Sequence, residues 1–220
     1  MRTSTRPDWT AWKQGILAKI NPQRTAVAVI DVQRDFCCAD GALASLGSDV
    51  SPSRAAADAI ARFLPTIRPL VPLVAFFRLV YEPSRMSPAQ QERLLRDGRP
   101  IICAPDSPGS EIVVKPAESD KVFTKHRYSA FSNAEFRDIL RSQSIDTIAV
   151  VGVDTHICVE GTVREGYDLG YRMLVLADLV ATRTSELSRH ENSLAVCERY
   201  FGLVVESKVF REVLQTRIGT

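Results

Sequence analysis

The chain has 220 residues, enough for one substantial α/β core and hardly for two. Hydrophobic residues make up 45%, and 28 basic and 26 acidic residues are interspersed to a net charge of +2, so no basic block marks a nucleic-acid surface. No apolar run nears the length of a membrane span, the opening MRTSTRPDWT lacks a signal-peptide core, and five cysteines without disulfide spacing fit a reducing cytoplasm.

Residues 7–20 read as an amphipathic arm, with Trp9, Trp12, Ile16 and Leu17 roughly on one side, suited to covering its own domain or a neighbouring subunit. A first strand follows at residues 25–31 (TAVAVID), apolar throughout as a central parallel strand is. It ends on Asp31, which either works at the carboxyl edge of a sheet, where open α/β sheets bind ligands, or simply caps a turn. A loop containing Gly41 and Gly47 leads to Ser51-Pro52, which starts a helix through Ile67. Residues 71–80 form the second strand, and Ser87-Pro88 opens a helix to about Arg96. The Pro/Gly loop at 97–109 has the length of a lid or a subunit contact, and residues 111–114 read as a short extended piece. The third strand, 120–125, runs into Lys125-His126-Arg127-Tyr128. Ser132 and Glu135 have the spacing of a capping box, predicting a helix from Asn133 to about Arg141.

Next comes a right-handed βαβ unit: a strand at 148–153, a helix at 157–170, and a strand at 172–177 stopped by Asp178. Cys158 falls at its first turn. A thiol there meets the positive end of the helix dipole and unpaired backbone N–H groups, which favour a thiolate and offer donors to a negative oxygen. The other reading of Cys158 is a small buried apolar residue. A long helix at 185–201, a short strand at 203–205 and a helix at 207–215 complete the chain. This alternation predicts the α/β class, with one doubly wound, mostly parallel sheet and helices on both faces. It forms a single domain over 1–220 with 1–22 as an N-terminal arm.

Strand ends of a parallel sheet share one edge, so Asp31, Lys125 and Cys158 can converge there although they are distant in sequence. A carboxylate takes and returns a thiol proton, and an ammonium stabilises both anions. The plainer alternative is a structural Asp–Lys pair beside an unrelated cysteine.

Three segments, IDVQRDF from Ile30, TKHRYSAF around Lys125 and VVGVDTHICVEGTVREGYDLGY around Cys158, together with PGSEI at 108–112, closely resemble the isochorismatase-like cysteine hydrolases. The resemblance spans roughly residues 24–206. It implies that Asp31, Lys125 and Cys158 are a catalytic triad. It also implies a cis peptide between Val153 and Asp154, whose backbone N–H would join that of Cys158 in an oxyanion hole. Nicotinamidases of that group carry an Asp-x-His metal cluster near the second strand's end. Here the region reads FFRLVYEPSRM, and His126, His156 and His190 lack ligand spacing, so no metal and no cofactor are expected. Isochorismatases proper commonly lack the cysteine. The expected activity is therefore metal-independent hydrolysis of a small amide or ureide, such as an N-carbamoyl compound. The alternative is a catalytically idle relative serving as a binding or assembly protein. No G-x-G-x-x-G follows the first strand, which sets aside a dinucleotide enzyme. Phe36, Tyr128 and Phe131 are candidate pocket walls, each equally suited to the core, and Arg78, Arg127 and His156 are candidate substrate contacts. The expected partners are a small-molecule substrate and further copies of the chain, as a dimer or tetramer, with neither nucleic acid nor membrane.

Overall fold

Six parallel strands form the frame of the computed structural model, which describes residues 9–98 and 100–218. They are β1 (Thr25–Ile30), β2 (Leu73–Leu79), β3 (Lys121–Lys125), β4 (Thr147–Val153), β5 (Arg172–Ala181) and β6 (Gly202–Val205), in the order β3-β2-β1-β4-β5-β6. The run TAVAVI of β1 is buried at every position, as is all of β4, because helices cover this central pair of the sheet. Chain order reverses between β1 and β4, and the crevice at that reversal is where doubly wound sheets bind ligands. Among the described residues, no helix is long and apolar enough to cross a membrane.

The helices follow their start signals. Helix α1 (Trp9–Leu17) is the described part of the arm: Ile16 and Leu17 pack against the core, whereas Trp12 is 42% exposed. Pro7, Asp8 and the side chain of Trp9, which belong to the expected arm, lie outside the described residues. Helix α2 (Ser51–Ile67) begins at Ser51-Pro52, and α3 (Pro88–Asp97) carries a complete capping box between Ser87 and Gln90. Helix α4 (Ala134–Ser142) is capped differently from the expectation. A 3₁₀ turn at Ala130–Ser132 commits the Ser132 hydroxyl to the Ser129 carbonyl, so Asn133 caps instead, accepting from Phe136 N at 3.0 Å. The helix expected at 157–170 starts as a π turn (Thr155–Val159) before α5 (Glu160–Asp168). The helix expected at 185–201 divides into a 3₁₀ turn, α6 (Leu187–Val196) and a second π turn (Cys197–Phe201). Helix α7 (Ser207–Ile218) closes the fold.

Strand β5 overruns its expected end. As β4 advances from Val150 to Gly152, the β5 partner jumps from Val175 to Val180, a bulge that absorbs Asp178. Released from the sheet, the Asp178 carboxylate accepts from Ser207 N at 2.7 Å and Ser207 Oγ at 2.6 Å and so starts α7. A charged residue in an apolar run reads as a strand terminus; here it is a detour.

An aromatic cluster seats α4 and the segment after β3. Phe77 stacks on Phe123 at 5.4 Å and meets Phe136 edge-on at 4.8 Å, while Phe131 lies between Phe136 (5.5 Å) and Tyr171 (5.4 Å). On the β1–β4 seam, Gly152 has φ +119°, and a Cβ there would lie 2.0 Å from the Ile30 carbonyl oxygen. Both the backbone conformation and the contact exclude a side chain. Gly152→Ala is therefore expected to destabilise the protein by at least about 3 kcal/mol in urea unfolding at pH 7, and a loss below about 1 kcal/mol would show that this seam relaxes freely.

Candidate active site

Asp31 leaves β1 with φ +50°, its N–H donating to Phe77 O at 3.0 Å, so the chain turns as it passes the sheet edge. The following residues fix that turn. Gln33 is fully buried and grips the end of β2 twice: Oε1 accepts from Leu79 N at 2.7 Å and Nε2 donates to Leu79 O at 2.9 Å. The same Nε2 donates to Ser110 O at 3.1 Å. Asp35 accepts from Cys103 N at 2.6 Å and from Ala42 N at 2.9 Å, and Gly109 packs so closely that a Cβ there would lie 2.2 Å from the Asp35 carboxylate. The 97–109 loop, whose length suggests a lid, is thus tied down at Cys103 and again just beyond, at Ser110.

Lys125, the last residue of β3, reaches past the end of β2. Its Nζ donates to Asp31 Oδ2 at 2.7 Å, to Tyr128 O at 2.9 Å and to Arg127 O at 3.1 Å. All three ammonium protons are used, and the pair is buried from solvent. Asp31 Oδ1 has no hydrogen-bond partner. Cys158, 4% exposed, is electrostatically coupled to both Asp31 and Lys125. Its carbonyl accepts from Thr162 Oγ1 at 2.7 Å, and that oxygen accepts from Ala130 N at 3.0 Å. The cysteine turn is thereby fastened to the loop that follows Lys125. The peptide between Val153 and Asp154 is cis, and Asp154 O accepts from Ile157 N at 3.1 Å and Val159 N at 3.3 Å.

Burial sets the proton affinities. It raises the Asp31 carboxyl, against the opposing Lys125 charge. For Lys125, burial works downward, but the Asp31 charge and Cys158 prevail and the ammonium is held upward. The Cys158 thiol is pushed well up by burial, helped by the Asp31 charge and only partly opposed by Lys125. The thiolate expected from the helix start is therefore not the favoured resting form. A helix end contributes about 1 kcal/mol, and the desolvation of a fully buried thiol outweighs it.

Cys158 and Asp154 open onto a cavity of about 110 Å³. Of the residues expected around it, Phe36 and Tyr128 line it. Arg78, Arg127, Phe131 and His156 do not. Arg78 alternates to the other side of β2 and donates to Thr124 Oγ1 at 2.9 Å. Arg127 turns to Arg85 O at 2.8 Å, Phe131 is core, and His156 faces Glu186 at 3.8 Å. The sequence reading missed Tyr81, Gln90, Arg93 and Arg183, which line the cavity. The strand-end rule finds Arg183 only when the bulge lets β5 run to Ala181. Tyr81 lies two residues past the end of β2 and was within that rule's reach.

Comparison with known proteins agrees with this architecture. The sequence profile of the Isochorismatase domain matches residues 25–209. Ureidoacrylate amidohydrolases from Methylorubrum extorquens and Azorhizobium caulinodans are each 28% identical, across 87% and 86% of this chain and 83% and 89% of their own. A cysteine hydrolase structure from Pseudomonas syringae pv. phaseolicola superposes with a TM-score of 0.77 at 25% identity, covering 90% of this chain and 95% of that one. A nicotinamidase from Bacillus subtilis shares the fold, with a TM-score of 0.70 at 22% identity over 83% of this chain and 99% of its own. The profile match takes in all six strands together with Asp31, Lys125 and Cys158, and the chain belongs to the isochorismatase family.

Proposed function

We propose that this protein is a cysteine amidohydrolase, independent of metal, that cleaves a C–N bond of a small amide or ureide through a thioester. The observation that carries the reading is the buried Asp31–Lys125 pair, 2.7 Å apart at the sheet edge, with the Cys158 turn fastened through Thr162 to the segment that follows Lys125. The ureidoacrylate amidohydrolases among its relatives support the same reaction class.

In this reaction the Asp31 carboxylate takes the Cys158 proton as the sulfur forms a bond to the substrate carbonyl carbon. The carbonyl π electrons move to oxygen, where the backbone N–H groups of Asp154 and Cys158 serve as donors. Collapse of the adduct breaks the C–N bond, and the departing nitrogen receives the proton from Asp31. A water then adds to the thioester, losing its proton to Asp31, and expulsion of the sulfur with that proton restores the thiol. Lys125, with its three protons already engaged, acts on sulfur and carboxylate as a fixed positive charge.

Cys158→Ala and Asp31→Asn should each lower kcat on an accepted amide by at least about 10³-fold with an unchanged circular dichroism spectrum. Turnover of Cys158→Ala near the wild-type rate would end this reading. Lys125→Met strands a buried carboxylate, and a loss of about 3–5 kcal/mol in urea unfolding at pH 7 is expected.

Asp154 adds a pH dependence. Burial, opposed by Arg183, raises its carboxyl to about 6. The folded state thus holds this proton more tightly than the unfolded chain. The resulting stabilisation is complete below about pH 4 and disappears as the pH rises through about 6. Asp154→Asn abolishes that titration, so its stability relative to wild type should improve between pH 4 and pH 7 by up to about 3 kcal/mol. Urea titrations of both proteins at several pH values read this directly, and a difference that stays constant with pH would contradict it.

A further inference from the structure

Resting on the amidohydrolase reading, we propose that the substrate is an uncharged amide or ureide carrying an apolar group, and that a substrate carboxylate is disfavoured. The cavity above Cys158 holds two arginines, and each is already engaged by the protein. Arg183 meets Asp154 at 3.4 Å and Glu186 at 3.2 Å. Arg93 meets Asp97 at 3.6 Å, donates to the Tyr128 hydroxyl and lies 5.9 Å above the Tyr128 ring. Asp97 is shared with Arg96 at 2.8 Å, so the pairing is complete at Arg183, while Arg93 is held chiefly against Tyr128. The Gln90 amide is engaged too, donating to His126 O at 3.1 Å and accepting from Ser87 N at 2.9 Å.

The remaining walls are largely carbon: Phe36, Leu43, Leu79, Leu94, Ile102 and Leu46, the last of these 47% exposed at the surface. A carboxylate entering this space would lose hydration and compete for a guanidinium that already has a carboxylate partner. A hydrocarbon segment faces neither penalty and gains by leaving water.

Affinity measured calorimetrically on Cys158→Ala tests the pocket without depending on turnover. Across acetamide, butyramide and hexanamide, binding should tighten roughly fourfold per added methylene. 4-Methylpentanamide should bind at least about tenfold more tightly than succinamate, its carboxylate isostere. In Leu43→Ala combined with Cys158→Ala, the hexanamide preference should shrink by about tenfold or more while acetamide binding changes little. Binding that is flat with chain length, or succinamate binding as tightly as its isostere, would overturn the proposal. Turnover of the same compounds by the wild type is read separately: failure to hydrolyse any amide counts against the reaction class, whereas hydrolysis without an apolar preference counts against this inference alone.

Discussion

The buried pair of Asp31 and Lys125 is the constraint on which the rest of the site depends. Two charges taken out of water cost several kcal/mol, and their attraction offsets that only when the remaining donors are also satisfied. Lys125 meets the condition by bonding Asp31 and the carbonyls of Arg127 and Tyr128. The conformation of the segment after β3 is therefore part of the ion pair. Because β2 lies between β1 and β3, the pair also requires the end of β2 to stay in register, and Gln33 holds it there through both backbone groups of Leu79. One motif, IDVQRDF, thus supplies the carboxylate at Asp31, the β2 clamp at Gln33 and the loop anchor at Asp35.

This division of labour explains why a short polar run follows an entirely apolar strand. A loop that must remain buried has to satisfy its own backbone groups and those of its neighbours. Gln33 and Asp35 do so for Leu79, Ser110, Cys103 and Ala42, and these bonds anchor the floor of the site. Thr162 performs the same service on the other side, joining the Cys158 carbonyl to Ala130 N.

The fold and the meeting of Asp31 and Lys125 at one sheet edge were legible because both follow from periodicity and from the shared edge of parallel strands. What escaped was the identity of the walls. Arg93 projects from a helix and Leu43 from a short helical turn, and their orientations depend on packing that no local pattern encodes. Arg78 and Arg127 carried the right chemistry, yet strand alternation sends the first to Thr124 and a backbone carbonyl claims the second. Arg183 was hidden by Asp178, whose charge imitated the end of β5 while the bulge carried the strand onward.

The cysteine shows how magnitude decides between two correct rules. A helix start lowers a thiol's pKa and burial raises it, and at Cys158 burial is nearly complete. The dipole contributes about 1 kcal/mol, and burial outweighs it, leaving the thiol raised well above its ordinary range. In the proposed reaction this difference separates storage from use. A protonated sulfur at rest is a poor target for stray electrophiles and oxidants, since the thiolate is the reactive species. Reactivity then depends on a base in contact rather than on a standing charge, and Asp31 retains an oxygen, Oδ1, without a hydrogen bond to accept the proton. In that reaction the Lys125 charge opposes the burial that raises the Asp31 carboxyl, and the same positive charge would steady the sulfur once the proton has moved. In the proposed mechanism, the ion pair that holds the sheet edge together would therefore also be the element that makes a buried thiol usable.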